Sequence, residues 1–561
     1  MSCPFPAVWG DGQLFAFSGI DGVASWESGL VASTQANPVG LRVRFPAAAT
    51  LWFDLAAAQA VPHIVTGDVL RLGTPAGELS LALADQHTVV GTAARVLGPH
   101  LVVAEGDAAA WKLALAIQES DGDQCRWALA CAPTEVEATA RAQRALAYDV
   151  DEVIAQRLAF LERCPTPPST LAELWCKTLA KAWSVLKVNT YSAEGSIPTR
   201  WTTPDRWPHR HMWLWDSAFH ALGWRHADLA MAWETIEAVL SQQAEDGFIA
   251  HTLSPAHRSS ITQPPILAWA VWELYQRQHD CGRLRRAYPI LCRYLEWDLA
   301  HRRCSEDGLL AWQIEGDPLC RSGESGMDNS PRFDGDGPWA AVDFSAYAAA
   351  EMDALARMAC VLGQEEEVWM WTERRARMAA AINERLWDEA SGFYYDRQVG
   401  GARSTVKAVS GFLPLWAGVA TPEQAARLVE HVRDPNEFWA PFPLPSVALD
   451  DPAHSEDMWR GSTWINTNYF VIQGLRRYGY AELAEELAGH TLAEIARWYT
   501  TTGCLHEFYD CRGVKEPTSL LRKGAAAALT GAAGGAGFGV VQDYGWTAAL
   551  FIDLVMSNAL D

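Results

Sequence analysis

The sequence predicts a mainly helical protein, in which an (α/α)6 toroid follows an N-terminal antiparallel β-sandwich. Up to about residue 135, short apolar or alternating segments are separated by Gly and Pro roughly every ten residues, a spacing typical of a sandwich. Farther along, about twelve helical segments are joined in part by long loops, which are uncommon unless they carry function. Twelve helices in six hairpins, with their long loops at one end, fit a toroid.

The strand prediction depends on five segments of the first region. Residues 41–45 and 79–83 alternate apolar and polar side chains, whereas 69–72, 101–103 and 113–117 are short apolar runs. A period of two places successive side chains on opposite faces of a sheet. We therefore expect the β-sandwich domain to occupy residues 1–135.

A change of pattern marks the boundary between the two domains. Residues 136–163 have a helical period, and the Pro-rich segment 164–168 ends it, because a residue that precedes Pro disfavours helix. The sequence therefore predicts a linker helix within 136–167 and a helical domain over 168–561.

The helical domain is predicted from apolar residues at the helical period and from acidic first turns, as at 365–387. An α-solenoid is the alternative, but it should show a repeat of roughly 30 to 45 residues, and no recurring motif is visible. The helices are predicted near 170–188, 214–223, 228–243, 265–277, 283–301, 343–362, 365–387, 408–418, 421–433, 463–477, 480–499 and 543–557.

Composition excludes several kinds of partner. The chain has 45 Lys and Arg against 68 Asp and Glu, a net charge of −23, which repels a nucleic-acid backbone. No run approaches the roughly 18 apolar residues of a membrane span, and the first residues lack the basic and apolar regions of a signal peptide. The 12 cysteines form no C-x-x-C pair, so we expect free thiols and a cytoplasmic location.

Tryptophan is the informative residue type, with 27 in the chain. An indole ring can fill a core, but it also stacks on the flat C–H face of a sugar while its N–H donates to a hydroxyl. Aromatic and acidic residues collect in five clusters, which lie at 200–220, 324–334, 458–469, 506–510 and 543–546. The clusters are the candidates for a functional site.

Two carboxyl groups in different clusters could cleave a glycosidic bond. One carboxyl must protonate the leaving oxygen, and the other must activate water or attack the sugar. Asp328 and Glu507 could face each other, although a single Asp in such a loop is more often a turn or capping residue. On these grounds Glu324, Asp334 and Asp216 are equal candidates, and Asp216 could equally cap the helix that follows it.

Other chemistries are not indicated. The sequence contains no G-x-S-x-G elbow, phosphate-binding loop, H-E-x-x-H or EF-hand motif, and His209 and His211 have the wrong spacing for a metal pair. The glycines of 531–539 do not lie in a βαβ unit, so we reject dinucleotide binding. The Gly/Ala-rich segment 524–539 is interpreted as a surface loop, with a mobile lid as the alternative.

Taken in order, the five clusters resemble glycoside hydrolase family 63, in particular the bacterial branch with the mannosylglycerate and glucosylglycerate hydrolases. The matching motifs are Trp213 to His220, Gly326 to Arg332, Trp459 to Tyr469, His506-Glu507 and Gly545 to Leu550. The resemblance covers about residues 168–561. It implies an (α/α)6 catalytic barrel and hydrolysis with inversion of configuration.

The resemblance also implies roles for residues. Asp328, in G-M-D-N-S-P, falls on the general acid of the family, and Glu507 falls on its general base. Trp213, Trp215 and Asp216 fall on sugar contacts near subsite −1, and Gln263 falls on a further sugar ligand. The remaining residues predicted to line the sugar site are Glu324, Arg332, Trp459, Trp464, His506 and Trp546.

The extra N-terminal region makes this chain similar to larger family members rather than to the bare barrels that act on glycerate glycosides. Several such members remove a terminal α-glucosyl unit, so we predict an exo-acting, inverting α-glucosidase acting on a disaccharide, oligosaccharide or small glycoside. The alternatives are a mannosylglycerate or glucosylglycerate hydrolase, a trehalase-like enzyme, an inverting disaccharide phosphorylase and a non-catalytic carbohydrate-binding protein. No cofactor or catalytic metal is expected, acidic loops leave room for a structural Ca²⁺ ion, and the oligomeric state is not indicated.

Overall fold

The computed structural model describes residues 5–104, 110–119, 123–166, 173–317, 319–335, 337, 339–399, 401–524 and 539–557. Contacts between Cα atoms divide the chain into two compact units. Unit 1 consists of Met1–Arg210, Ile495–Leu505 and Gln542–Asp561, and unit 2 consists of His211–Glu494 and His506–Val541. The domain boundaries at 135 and 168 stay a prediction.

Unit 1 contains two antiparallel sheets. The first has the strand order β1-β2-β3-β4-β9 and the second the order β10-β11-β8-β7-β6-β5. Each of the five predicted strand segments lies in one of these strands. The strands are β1 (Leu14–Ala16), β2 (Val31–Gln35), β3 (Gly40–Phe45), β4 (Ala49–Trp52), β5 (Val61–Val65), β6 (Val69–Thr74), β7 (Gly77–Asp85), β8 (Thr88–Ala94), β9 (His100–Val103), β10 (Lys112–Glu119) and β11 (Gln124–Ala132).

Alternating side chains of the two sheets form one apolar core. In β3, Leu41 and Val43 are buried while Arg42 between them is exposed, as the period of two requires. Residues of the second sheet, such as Leu81 and Trp127, belong to the same apolar cluster. Burial of these side chains is the main favourable term for this part of the fold.

The linker region, predicted as one helix, contains two: α1 (Glu135–Ala145) and α2 (Val150–Arg163). The break has a local cause, because the Asp149 side chain accepts hydrogen bonds from the N–H groups of Asp151 and Glu152 and so begins α2. Helix α1 contacts β10 and β11, and α2 contacts β7. The second sheet is therefore covered on the face turned away from the first.

Two further helices belong to unit 1: α3 (Glu173–Val188) and α14 (Gly545–Ser557), which pack against each other. Lys181 of α3 forms a buried ion pair of 2.7 Å with Asp543, just before α14. The Asp543 carboxylate also accepts hydrogen bonds from the N–H groups of Leu14 and Leu505. The first residue of the fifth aromatic cluster is thus a structural junction of unit 1.

In unit 2, largely buried helices alternate with helices that have an exposed face. Helices α4, α6, α8, α10 and α12 contact one another in that order, and α5 and α9 pack on α4 and α8. Residues of α4 are buried on every side, whereas α9 buries only one narrow face. The helices are α4 (Leu214–Trp224), α5 (Leu229–Leu240), α6 (Leu267–Gln278), α7 (Cys281–His301), α8 (Val342–Leu362), α9 (Glu365–Arg385), α10 (Leu413–Ala417), α11 (Pro422–Arg433), α12 (Ile465–Arg477) and α13 (Ala481–Thr502), which crosses into unit 1.

Each predicted helix coincides with an observed one within a few residues, except that the segment 408–418 begins as a 3-10 turn at Val409–Phe412 before α10. None of the described helices combines the length and apolar character needed to cross a membrane. The cysteines in the described part of the chain are free thiols. The predicted loop or lid covers residues 524–539, of which 525–538 lie outside the described residues.

Burial of His220 in α4 predicts a loss of stability in acid. The side chain is 0% exposed, and burial lowers its pKa to about 3. Because the unfolded chain binds a proton near pH 6.5 and the folded chain does not, stability falls as the pH drops from about 6.5 towards 3. From pH 7 to 4 this group alone should cost about 3 kcal/mol.

Denaturant titrations at pH 7 and pH 4 check this expectation. The difference in unfolding free energy between the two pH values should shrink in His220→Gln, and should be unchanged in the control His63→Gln, because His63 is exposed. An equal pH dependence in wild type and His220→Gln would contradict it.

Candidate active site

Several residues predicted for the site lie at the N-terminal ends of α4, α6 and α12, three of the helices of unit 2 that contact one another in turn. Trp215 and Asp216 are in the first turn of α4, Gln263 precedes α6, and Trp464 directly precedes α12. The N–H of Trp215 donates to Oε1 of Gln263 at 3.2 Å, and the rings of Trp215 and Trp459 lie 6.5 Å apart. The start of α4 and the segments before α6 and α12 therefore lie close together. The loops that carry Asp328 and Glu507 are joined to them by the contacts described next.

A close contact at Gly326 joins the Asp328 loop to α4. Gly326 has φ of +70°, and an added Cβ would lie 2.4 Å from Cζ2 of Trp215. Only glycine satisfies both the left-handed backbone and the lack of space. The backbone two residues before Asp328 is therefore pressed against the indole ring of Trp215.

Gly326→Ala should therefore impair both stability and catalysis. We expect a loss of about 1–3 kcal/mol in unfolding free energy, together with a lower kcat/KM, because Trp215 and the Asp328 loop must separate. Gly316→Ala is the control, since a Cβ there meets nothing within 4 Å. Denaturant titration and initial rates measure both quantities, and a Gly326→Ala protein equal to wild type in both would refute the contact.

Asn329 joins the same loop to the third cluster. Its Oδ1 accepts a hydrogen bond from the N–H of Trp459 at 3.1 Å, and its Nδ2 donates to the carbonyl of Asp457 at 3.3 Å. Arg460 donates to the Asn329 carbonyl and to both oxygens of Asp334. The Asp334 side chain is half exposed in this ion pair.

Stacked aromatic rings connect the third and fourth clusters. The rings of Trp459 and Trp464 are parallel, with centroids 3.7 Å apart, and Phe508 lies 4.6 Å from Trp464. Backbone hydrogen bonds between Thr463 and Tyr509 run in both directions. Glu507 is thus fixed beside the aromatic stack.

The Asp328 carboxylate is paired with a lysine. Its Oδ2 lies 2.6 Å from Nζ of Lys523, and the two side chains are only 19% and 14% exposed. Burial would lower the pKa of the Lys523 ammonium, but the Asp328 carboxylate more than offsets this and raises the pKa above its ordinary value. A third group, Glu315, has its pKa raised by burial and then by the Asp328 charge.

Arginine holds the second carboxylate. Nε of Arg522 donates to Oε2 of Glu507 at 2.9 Å, and its Nη2 donates to Oε1 at 3.3 Å. The N–H of Val541 donates to Oε2 at 3.4 Å. The Glu507 side chain is 3% exposed, so its orientation is fixed and its charge is complemented.

Two consecutive residues therefore bind the two candidate catalytic carboxylates. Lys523 has φ of +52°, a left-handed conformation that is uncommon for a residue other than glycine. Sequence reasoning missed both Arg522 and Lys523, because they lie outside every aromatic cluster and precede a Gly/Ala-rich segment. A basic pair at such a place usually indicates solvated surface.

Glu324 and Arg332 are saturated by bonds within the protein. The fully buried Glu324 carboxylate accepts from Arg302 and from the N–H groups of Thr262 and Gln313. Arg332 donates to two buried carboxylates, those of Asp343 and Asp396. These ion pairs fix the loops around the site.

The other predicted sugar ligands are placed as follows. Oε1 of Gln263 accepts from the N–H of Trp215 at 3.2 Å, so it ties the loop before α6 to α4. Trp213 is partly exposed and meets the His251 ring edge-on at 5.2 Å. His506 is fully buried against Tyr509.

Asp216 departs from one of its sequence-based interpretations, and Trp546 belongs to the other unit. Asp216 does not cap α4, because the N-cap position is Trp213 and Asp216 lies inside the first turn. Trp546 lies on α14 in unit 1, where its ring meets Tyr544 at 4.8 Å. Trp546 therefore belongs to unit 1, and its predicted contact with sugar stays a prediction.

A metal-binding cluster is not found among the described residues, where no group of three or more His, Cys, Asp and Glu side chains is placed to hold an ion. The acidic loops that left room for Ca²⁺ contain no such group in this part of the chain.

Comparison with known proteins agrees with this fold. The model of the mannosylglycerate hydrolase MGH1-like glycoside hydrolase domain matches residues 209–512. Mannosylglycerate hydrolase of Thermus thermophilus is 29% identical over 405 residues, which are 56% of this chain and 92% of the relative.

Two solved structures are similar in fold. A GH63 mannosylglycerate hydrolase, also from Thermus thermophilus and in complex with glucose, is 28% identical with a TM-score of 0.54, and the match covers 67% of this chain and 99% of that one. Neutral trehalase Nth1 from Saccharomyces cerevisiae is 18% identical with a TM-score of 0.52, covering 73% and 85%, and shows the fold alone.

The alternating helices and these neighbours define a glycoside hydrolase with an (α/α)6 catalytic fold. The chain belongs to the family of mannosylglycerate hydrolase MGH1-like glycoside hydrolase domains, within glycoside hydrolase family 63. The family match covers the segment that carries Asp328 and Glu507.

Proposed function

We propose that the protein is an inverting, exo-acting glycoside hydrolase that removes a terminal α-linked sugar, with Asp328 as general acid and Glu507 as general base. The observation that carries the proposal is the pair of carboxylates held by Arg522 and Lys523 beside an aromatic stack. In this mechanism Asp328 protonates the glycosidic oxygen as the bond to the anomeric carbon breaks. Glu507 takes a proton from the water that attacks the opposite face of the sugar.

We propose different roles for the residues predicted to contact sugar. Trp213 is partly exposed, so its ring is the one offered for stacking. Asp216 and Gln263 are each 1% exposed, and their proposed contacts with hydroxyl groups rest on the family resemblance. Buried Trp215, Trp459, Trp464 and His506 form the support behind it. Glu324 and Arg332 position the loops rather than contact the sugar, because their polar atoms are occupied.

For the substrate we propose an α-glucosyl disaccharide, oligosaccharide or small glycoside, with the presence of the N-terminal sheets as the supporting observation. Glycerate glycosides are the second candidate, because the relatives named above are called mannosylglycerate hydrolases. A carboxylate at position 507 supports hydrolysis over phosphorolysis, because phosphate would replace both the base and the water. A cytoplasmic location is also part of the proposal, supported by the free thiols.

Initial rates on trehalose, other α-glucosides, an α-mannoside, mannosylglycerate and glucosylglycerate test the proposal. They are measured with wild type and Asp328→Asn, with and without phosphate. We expect one α-glucosyl compound to have the highest kcat/KM, with no phosphate dependence. Preference for mannosylglycerate would select the second candidate, and a rate that requires phosphate would indicate a phosphorylase. Binding without turnover of any compound would contradict the hydrolase proposal.

A further inference from the structure

We propose that a cavity within unit 1 is a second ligand site, which binds a small phosphate monoester such as a sugar phosphate. The cavity has a volume of about 510 Å³, which is within the range of small-molecule sites. It is enclosed by the segment 17–23 after β1, the β7–β8 hairpin and the helices α1 and α2. These lining residues belong to unit 1, whereas the proposed catalytic residues belong to unit 2.

The Arg157 guanidinium lies buried in the cavity wall with unsatisfied N–H groups. The side chain is 8% exposed, and its Cζ lies 4.9 Å from the centroid of the Phe17 ring. Nη2 donates to the Gln156 side chain at 3.5 Å, but Nη1 is 3.7 Å from Oδ2 of Asp21, which is too far for a hydrogen bond. Nε and Nη1 have no hydrogen-bond partner in the described part of the chain. Because buried donors are normally bonded, these two N–H groups are suited to an anion in the cavity.

A buried hydroxyl on the same wall is a second unsatisfied group. Thr88 lines the cavity and is 1% exposed, and its Oγ1 has no hydrogen-bond partner among the described residues. A hydroxyl donates to an anionic oxygen as readily as an N–H group does. Thr88 and Arg157 together therefore offer donors of two kinds to a ligand that carries several oxygen atoms.

Two more guanidinium groups make the cavity wall cationic. Arg141 and Arg144 of α1 both line the cavity. Nη1 of Arg141 donates to the carbonyl of Cys131 at 3.2 Å, and Arg144 is exposed at the end of the helix. The planar fork of a guanidinium matches the oxygens of a phosphate group. Three such groups around one cavity favour a phosphate dianion over a carboxylate.

The acidic groups on the wall do not cancel this charge. Oδ2 of Asp21 lies 2.7 Å from Nζ of Lys187, and Oδ1 of Asp85 accepts from the N–H of His87 at 2.7 Å. Burial and the Arg141 charge lower the pKa of His87, so its imidazole is neutral near pH 7. The cavity is therefore locally positive in a chain whose net charge is −23, and it favours an anion over a neutral sugar.

Calorimetric titration of the full chain with ribose 5-phosphate tests the site. We expect saturable binding that weakens as salt is raised, because the contacts are ionic. Ribose and ribonate are the matched neutral and carboxylate compounds, and both should bind more weakly. Equal or tighter binding of ribose or ribonate would overturn the phosphate assignment, as would a lack of saturable binding of ribose 5-phosphate to folded protein.

Variants of the cavity wall locate the bound phosphate. Arg141→Gln and Arg144→Gln should each weaken the binding of ribose 5-phosphate about tenfold or more, because each removes a charged hydrogen-bond donor. Arg163→Gln is the control, since Arg163 is exposed at the end of α2 and does not line the cavity.

The exposed position of Arg144 keeps this test independent of folding. Arg157→Met should abolish binding, but it also removes the packing on Phe17, so a thermal unfolding curve accompanies each variant. Wild-type affinity in both Arg141→Gln and Arg144→Gln would show that the phosphate binds elsewhere and would overturn the site. None of these results depends on Asp328 or Glu507, so the proposed hydrolysis stands or fails separately.

Discussion

Asp328→Asn is expected to lower kcat/KM on an unactivated α-glycoside by about 10²–10⁴-fold or more, because the amide cannot donate the proton that the leaving oxygen needs. The two side chains have nearly the same shape, so the loop anchored by Asn329 and Gly326 should remain folded. Initial rates and a thermal unfolding curve measure the two properties separately.

The glycosyl fluoride of the same sugar provides the matched substrate for this variant. Fluoride leaves without prior protonation, so Asp328→Asn should keep much of the wild-type rate on it. Glu315→Gln is the second control, because Glu315 is the other carboxyl near Asp328. Loss of activity in Glu315→Gln, with retention in Asp328→Asn, would move the acid role to Glu315.

Glu507→Gln is expected to cause a loss of similar size, about 10²–10⁴-fold, because attacking water loses the group that takes its proton. Unlike Asp328→Asn, this variant should also be slow on the glycosyl fluoride. Added azide, which attacks without a base, should restore turnover and give a glycosyl azide of inverted configuration.

Asp334→Asn is the control for this second prediction, since Asp334 is an acidic residue near the site in a half-exposed pair with Arg460. Its rates should equal those of wild type. An azide product with retained configuration, or loss on the fluoride in Asp328→Asn rather than in Glu507→Gln, would contradict the assigned roles.

Much of the fold could be predicted because its signals are local. The alternation in 41–45 identifies β3, and the helical period identifies helices such as α9 and α13. Comparison with known structures confirms the (α/α)6 class predicted from the helix pairs. The break between α1 and α2 was missed, because the Asp149 cap interrupts an otherwise continuous helical pattern.

The candidate site could be predicted only in part. Residues Trp215, Asp328, Trp459 and Glu507 stand out because aromatic rings and carboxylates occur together in loops. The partners that determine what each group can do lie far away in sequence. Lys523 reaches Asp328 from 195 positions later in the chain, and no local pattern records such a pair.

The partners in the buried ion pairs could not be predicted from sequence for the same reason. From sequence alone, Glu324 and Arg332 are predicted to contact sugar. In the structure Glu324 forms an ion pair with Arg302, and Arg332 forms ion pairs with Asp343 and Asp396. Asp543 likewise lies in an aromatic cluster of the sequence, but its carboxylate forms an ion pair with Lys181 in unit 1. Sequence identifies polar residues in loops, whereas three-dimensional contacts decide whether they face a ligand.

Asp328 and Glu507 are proposed to carry out hydrolysis with inversion of configuration. The most direct test is proton NMR of the reducing sugar released in the first minutes from an α-linked substrate, before mutarotation mixes the anomers. We expect the β-anomer to appear first and the α-anomer to follow at the rate of spontaneous mutarotation. Initial release of the α-anomer would show retention and contradict the assignment of Glu507 as a base acting through water.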